Sequence, residues 1–298
     1  MHPSDTLVSI GLPVRNGASR LEAVVRSVLA QDHENLELLI CDNASTDGTE
    51  ELCRELANAD RRIVYHRQPE NVGLLNNFIH AGRAARGTFL RWIGDDDALE
   101  PSCLSRAVQA FAEDERLILV TTQVSYTDPD GTVQTERYER PGLGSDDPVE
   151  RLAEMLRLLT ESHLLIDPLY GLMRREAVVG IPRRNMLRED EVFACKLALA
   201  GPWGHVNEVL AHRNWKHESL GTISRRLGVP GWQAHFSTTL QCREILRWLD
   251  EIDLTPEQRR RARAAVHQMY ARRQRSVVSR RSRKLVRLAT GALRGRTG

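Results

Sequence analysis

The sequence predicts an α/β protein with a mostly parallel central sheet. Three observations lead there. Short apolar, β-branched runs alternate with helical periodicity from Leu7 to Ile93, the pattern of βα units wound into one sheet. A polar or acidic cluster follows each run, at the strand ends where open α/β sheets bind ligands. The chain of 298 residues, 41% of them hydrophobic, can fill the core of one large domain or two small ones.

Taken in order, residues 7–13 have the character of a central strand that Pro13 should end, and Leu21, Val24, Val25, Val28 and Leu29 then recur at helical spacing. Residues 36–41 form a second apolar run. It is stopped by residues 42–49, whose Asp, Asn, Ser and Gly suit a tight loop and a helix N-cap. A third strand is expected over 63–67, a third helix over 73–85 and a fourth strand over 88–93, which delivers Asp95, Asp96 and Asp97. Cys103, Leu104, Ala107, Val108 and Phe111 mark a helix, and residues 117–126 a fifth strand. Asp128-Pro129-Asp130-Gly131 reads as a solvated turn into a second hairpin strand over 132–137. Val149, Leu152, Met155, Leu156 and Leu159 outline an amphipathic helix. Residues 169–173 read as a strand with Gly171 at a point of close backbone approach. Residues 187–191 open a helix that ends at Gly201-Pro202, and 206–211 give a last strand. From Trp232 the pattern is helical, with Pro256 capping an Arg-rich helix.

Three adjacent carboxylates repel one another, so Asp95 to Asp97 call for a compensating cation, best supplied by a divalent metal with oxygen ligands. An acidic turn capping the helix near Pro101 explains the same residues. Neither G-x-G-x-x-G nor G-x-x-x-x-G-K-[ST] occurs, which removes the dinucleotide fingerprint and the P-loop. Phosphates held without a glycine cradle need another positive charge, and a metal on the triplet would supply it. Five scattered cysteines without C-x-x-C spacing argue against a zinc site or a disulfide framework and read as reduced core residues. No apolar stretch approaches the ~20 residues of a membrane span and the N-terminus lacks a signal pattern, so a cytoplasmic location is expected.

The net charge of +2 hides an asymmetry. Fourteen Lys and Arg and no Asp or Glu follow from Arg259 on, which leaves −12 on residues 1–258. A basic tail on an acidic body favours a polyanion, either an anionic membrane leaflet or nucleic acid. Residues 277–288 mix apolar and basic residues as does a helix lying on a membrane surface, or a solvated tail.

Residues 8–16 (VSIGLPVRN), 41–49 (CDNASTDGT) and 69–73 (PENVG), with Asp95-Asp96-Asp97 and Pro101, closely resemble family 2 glycosyltransferases in order and spacing, over roughly residues 6–220. That resemblance implies the glycosyltransferase A fold, a nucleotide-diphosphate sugar donor, inversion at the anomeric carbon, and Mg²⁺ or Mn²⁺. It implies a catalytic domain over 1–225, with a nucleotide half to about 126 and an acceptor half beyond it, followed by a helical, Arg-rich extension over 226–298. Pro13, Arg15 and Asp42 then look like the nucleoside pocket, with Asn71 on the same rim, Gly171 close to the transferred sugar, and the helix of Val149 to Leu159 as a lid or wall over the acceptor. Asn43 departs from the family, which often has a second acid there; an amide donates as well as accepts. Asp96 falls on the position of the principal metal ligand and Asp95 near the ribose, with Asp97 a supporting ligand, although many relatives begin their D-x-D pattern where this chain has Gly94.

Asp190 matches the family's catalytic-base helix, and Glu189 is the second candidate. Inversion needs a carboxylate on the face of the anomeric carbon opposite the departing diphosphate, while an acidic helix N-terminus stabilised by the macrodipole explains the same charges. His217 resembles a histidine that in some relatives completes the metal site or contacts the diphosphate; a surface histidine is the alternative. Lys216 and Arg213 could neutralise the same phosphates, and Trp215 is a sugar platform or a core wedge. The acceptor would be a glycan, a lipid-linked sugar or a small molecule, with the tail at the inner face of a membrane. A nucleotidyltransferase, or a non-catalytic nucleic-acid-binding protein using the basic tail, are the competing readings. The motif set ranks nucleic acid below the other partners and leaves oligomerisation open.

Overall fold

The first strands of the chain are buried along their whole length: β1 (Val8–Val14) and β2 (Leu36–Asp42) expose no residue. Each has a strand on both sides and helices above and below, which is why their sequences are near-continuous apolar runs. The computed structural model describes residues 5–162, 166–216 and 218–294, with side chains as far as residue 275. β1 pairs in parallel with β2 and with β4 (Phe89–Trp92), and β2 in parallel with β3 (Ile63–Arg67). The helices α1 (Leu21–Leu29), α2 (Thr49–Ala59) and α3 (Leu74–Ala84) connect them. Pro13 lies inside β1, opposite Cys41, and does not end it. β4 pairs with β1 only from Val8 to Gly11, so the missing N–H of Pro13 costs no ladder bond on that side.

Beyond β4 the chain forms β5 (Ala98–Leu99), α4 (Cys103–Glu113), β6 (Leu119–Thr127), β7 (Val133–Gln134) and α5 (Pro148–Glu161). It continues through β8 (Leu172–Arg174), α6 (Arg175–Val179), α7 (Glu189–Ala200) and β9 (Trp203–Asn214), and ends in α8 (Leu220–Leu227), α9 (Gln233–Glu251) and α10 (Pro256–Arg294). The sheet order is β3-β2-β1-β4-β8-β6-β9-β5, with β7 paired to β6. β8 and β5 run antiparallel to their neighbours, and β6 pairs in parallel with β9. The mostly parallel α/β sheet expected from the sequence is therefore present.

Several local expectations change. The hairpin strand over 132–137 shrinks to Val133–Gln134, since Val133 is exposed and buries nothing against the sheet. The stretch 169–173 begins as a 3₁₀ turn, Pro168–Tyr170, and becomes a strand only at Leu172. β9 extends well past 206–211 at both ends because it pairs with β6 along its length.

Two apolar cores lie on the two faces of the sheet. One gathers α1, α2 and α4 through Leu21, Val24, Val28, Cys53, Leu104 and Phe111. The other gathers α3, α5 and α7, together with Ile245 and Leu249 of α9 and Val266 and Met269 of α10. Each of these fully buried aliphatic side chains contributes roughly 1.5–3 kcal/mol, so the C-terminal helices rest on α5 and α7 through a real apolar face. The five cysteines are free and buried, as expected. Among the described residues no helix is long and apolar enough to cross a membrane.

Candidate active site

Because β1, β2, β3 and β4 are parallel, the loops after them share one rim. Asn16 and Ala44, in the loops after β1 and β2, both adopt left-handed backbone conformations (φ 54° and 53°). For alanine that is strained by about 1–2 kcal/mol. Hydrogen bonds between the loops hold them there: the Asn16 N–H donates to Ser45 Oγ at 2.9 Å, and the Thr46 N–H to Asn16 Oδ1 at 2.9 Å.

The residues expected to hold the nucleoside turn out to build this rim. Asp42 has no exposed surface. Its Oδ1 accepts from the Ser45 N–H at 2.8 Å and the Ser45 hydroxyl at 2.5 Å, its Oδ2 accepts from Tyr65 at 2.9 Å, and Arg67 stands 3.6 Å away. The carboxylate is thus enclosed by groups of the protein itself. Asn43 is 4% exposed and uses both ends of its amide, donating to Asn71 Oδ1 at 2.8 Å and accepting from the Val72 N–H at 2.8 Å. An aspartate there could not donate to Asn71, which explains the amide. Asn71 also accepts from the Gly73 N–H at 3.0 Å, shaping the turn where Gly73 (φ 87°) precedes α3. Pro13 is buried in β1, and Arg15 is exposed at the rim.

The acidic triplet is compensated by the protein itself, which corrects the expectation that it needs a metal to fold. Asp95 pairs with Arg20 of the loop after β1. Asp96 pairs with Lys216 Nζ at 2.6 Å, and its backbone carbonyl accepts from Asn214 at 2.8 Å. Asp97 is turned inward and 6% exposed, accepting from the Gly94 N–H at 3.1 Å and pairing with Arg213 at 3.2 Å. Burial pushes the Asp97 carboxyl up, with Arg213 opposing. Arg213 also binds Asp167 and lies 3.7 Å over the Tyr170 ring. Asp97 and Arg213 therefore form an internal strut, and neither is available to a metal or a phosphate.

The other acidic helix end separates the two base candidates. Glu189 is buried and gripped by Arg183 at 2.7 and 2.6 Å. This bidentate pair makes it a structural anion. Asp190, next to it, is exposed and accepts from the Glu191 N–H at 2.9 Å. The protein mass around the cleft, and then Glu191, push its carboxyl up to about 6. Its direct exposure means this is the environment of a narrow cleft and not of a core. Two cavities meet at Asp190. One, of about 280 Å³, has walls from Leu74, Leu75 and Phe78 of α3 and Ile223 and Leu227 of α8. The other, of about 260 Å³, is walled by Met155, Leu158 and Leu159 of α5, with Tyr126 and Trp215.

Gly171 does not face either cavity. It is buried, and a Cβ there would stand 2.9 Å from both Leu119 Cδ1 and the Val120 carbonyl oxygen, so the close approach is to β6 and not to a sugar. His217 lies outside the described residues. Trp215 serves both expected roles in part, meeting Tyr126 edge-on at 5.7 Å while lining the second cavity. Arg20, Arg183 and Tyr65 were not singled out from the sequence. Their partners are 23 or more residues away for Arg20 and Tyr65, and only Arg183, six residues before Glu189, left a local signal.

A family model described as glycosyl transferase family 2 matches residues 9–179. The chain belongs to that family. The matched span carries the rim and the triplet and ends before the Asp190 helix. Among relatives, this family 2 chain is 30% identical over 244 residues to TuaG, a candidate glycosyltransferase of teichuronic acid biosynthesis in Bacillus subtilis (strain 168), covering 81% of this chain and 89% of TuaG. It is 32% identical over 135 residues to the chondroitin synthase of Pasteurella multocida (strain Pm70), which is 45% of this chain but only 14% of that protein. Two solved structures share the fold, each at 16% identity and a TM-score near 0.6. The S. aureus TarS 1–349 complex with UDP-GlcNAc superposes with TM-score 0.63 over 89% of this chain and 70% of that one, at 16% identity. The Pyrobaculum calidifontis mannosyltransferase complex with GDP-Man and Mn²⁺ superposes with TM-score 0.58 over 96% and 79%, at 16% identity. These likenesses identify the family 2 chain's architecture as the glycosyltransferase A fold.

Among the described residues no group of three His, Cys, Asp or Glu is gathered as a metal cage. Asp96 fits a different arrangement. Mg²⁺ and Mn²⁺ are commonly held by one or two carboxylates plus substrate phosphates, and the half-exposed Lys216 can leave Asp96 without breaking a buried pair, unlike Arg213 at Asp97.

Proposed function

We propose that this chain transfers a sugar, with inversion, from a nucleotide-diphosphate donor to an acceptor hydroxyl, with a divalent metal on the diphosphate. The observation that carries the reading is Asp190, a carboxylate open to two cavities, held at about 6, on a helix separate from the acidic triplet. A group that titrates near neutrality can take a proton from a hydroxyl and release it afterwards. In this reading Asp190 receives the acceptor's proton as its oxygen attacks the anomeric carbon from the face opposite the diphosphate. Glu189, fixed by Arg183, holds the start of α7 in place and takes no proton.

Lys216 and the exposed Arg15 are positioned to turn toward the diphosphate, where cations stabilise a leaving group. A metal held by Asp96 and the diphosphate oxygens would add Lewis-acid charge at the same point. The cavity against α3, whose wall begins at Leu74 just after the Gly73 turn, takes part of the donor in this reading. The cavity against α5, with Trp215 in its wall, suits a sugar or lipid-linked acceptor, and a role in surface-glycan assembly accords with the named role of TuaG. The complexes of TarS with UDP-GlcNAc and of the mannosyltransferase with GDP-Man and Mn²⁺ support the donor class and the metal.

The test is thermal stability against UDP, GDP, dTDP and CMP, each with and without Mn²⁺, for the wild type and Asp96→Ala. One nucleotide at a hundredfold excess over its Kd should stabilise by about 2.7 kcal/mol, only with metal and only with Asp96. Stabilisation that ignores Mn²⁺ would refute the metal, and none with any nucleotide would refute the donor class.

A further inference from the structure

The C-terminal helix α10 reaches the start of α7 through one side chain. Arg273 Nη2 lies 2.7 Å from Glu191 Oε2 and donates at 2.5 Å to the Leu159 carbonyl near the end of α5, while its Nη1 donates to Gln241 Oε1 at 2.8 Å. Gln241 of α9, fully buried, returns a bond from Nε2 to Glu191 Oε2 at 2.9 Å. The other oxygen of Glu191 binds Arg188, the residue before α7, which is left-handed at φ 64° and whose Nε donates to Ser237 of α9 at 3.2 Å. Side chains from α9, α10 and the residue before α7 thus converge on a single carboxylate, Arg273 ties it to the end of α5, and the residue before it is Asp190. Both Arg273 and Glu191 are largely shielded from water, at 13% and 18% exposure, where a charged pair holds geometry firmly.

We infer that Arg273 is a positioning residue for the Asp190 carboxylate: it neutralises Glu191 and pins the first turn of α7, so that the C-terminal helix completes the catalytic cleft. The inference rests on the reading of Asp190 as the base. Two consequences follow from the charges. Of the like charges acting on Asp190, Glu191 has the largest effect, and a like charge raises a carboxyl. Removing Arg273 leaves Glu191 less compensated, so Asp190 should titrate higher. Removing the charge of Glu191 should do the opposite.

The other charged groups around Asp190 are already paired or remain constant. On its own helix Glu189 is held by Arg183. From the turn before β8, Asp167 is held by Arg213 of β9, which also lies against Tyr170. From α8, Arg226 lines the same cavity and pairs with Glu218. The residues α3 brings to the cavity, Leu74, Leu75 and Phe78, carry no charge.

The experiment is a ¹³C-carboxyl NMR titration of the full chain labelled at aspartate Cγ, with the Asp190 resonance assigned by its loss in Asp190→Asn. Arg273→Ala should raise the Asp190 midpoint by roughly half a pH unit, the size of a screened like-charge interaction. Arg273→Lys should restore most of it, Glu191→Gln should lower the midpoint, and Arg273→Ala should have little further effect in the Glu191→Gln background. An Asp190 midpoint unchanged in Arg273→Ala, in a protein whose other aspartates titrate as before, would overturn the inference. So would an equal shift in the presence and absence of the Glu191 charge. The base reading fails by a different result, full release of nucleotide from UDP-GlcNAc or GDP-mannose by Asp190→Asn, whatever Arg273 does to the titration.

Discussion

Replacing Arg213 by methionine tests the claim that the acidic triplet is held by the protein's own cations. Methionine keeps most of the stem volume and removes the charge, leaving Asp97 and Asp167 without their partner. Breaking a buried pair costs about 3–5 kcal/mol. Asp97 is 6% exposed and belongs at the lower end of that range, about 3 kcal/mol; Asp167, at 23% exposure, adds less than about 1. Loss of the guanidinium over Tyr170, 3.7 Å from the ring centroid, adds about 0.5–1. The total is roughly 4 kcal/mol, or about 6 °C in Tm for a chain of this size.

The deficit should depend on pH. Burial already raises the Asp97 carboxyl, and Arg213 opposes that rise, so in the variant Asp97 titrates higher still. A carboxyl raised in the folded state favours folding fully below its unfolded pKa, and that contribution is lost as pH rises through the folded one. The gap between variant and wild type should therefore be widest near pH 7.5 and narrow towards pH 5. Urea denaturation at both values measures it. Arg213→Met with Asp97→Asn should recover part of the loss, since no unpaired charge is then buried. A deficit below about 1 kcal/mol at pH 7.5, or one that widens on acidification, would refute the strut.

Further outcomes are expected at the acidic helix end, at Gly171 and at Asn43. Asp190→Asn should lower turnover by about 10²–10⁴-fold at unchanged stability, whereas Glu189→Gln should lower the urea midpoint through its lost Arg183 pair and leave measurable turnover. The wild-type rate should fall below about pH 6 as Asp190 takes up its proton, which a pH–rate profile reads directly. Gly171→Ala forces a methyl into space held by Leu119 and the Val120 carbonyl and should cost about 1–3 kcal/mol, with nucleotide-induced stabilisation preserved. Asn43→Asp sets a carboxylate against Asn71 Oδ1, now 2.8 Å from the Asn43 amide nitrogen, and should cost about 1–3 kcal/mol in denaturant unfolding.

What could be read from the sequence follows from how local each signal is. The strands announced themselves because a doubly covered strand must be apolar throughout, and the rim followed because parallel strands end together. Asp190 was reached by a match of spacing within one helix. What escaped was non-local. The triplet looked as if it lacked counter-charge because Arg20 stands 75 residues before Asp95 and Arg213 stands 116 after Asp97. The clamps that Asp42 and Asn43 make to Tyr65 and Asn71 were invisible because a buried loop clamp and an exposed binding residue have the same composition. Gly171 marked a real close approach, but periodicity does not say which neighbour comes close. The two-residue β5 left no pattern at all, being defined only by Ala98 and Leu99 meeting His212 and Ala211.

That last pairing bears on how the molecule is made. The ribosome delivers β1 to β4 and their helices first, and these can pack on one another as soon as they emerge, but β5 waits for a partner more than a hundred residues downstream. β9 must enter between β6 and β5, and the same strand brings Arg213, with Lys216 close behind. Until then Arg20 is the only one of the three basic partners already synthesised, and the nascent chain carries an acidic knot at the edge of an unfinished sheet. The cleft is thus among the last regions to close during synthesis, so a chain released early would present a folded amino-terminal half without a working centre.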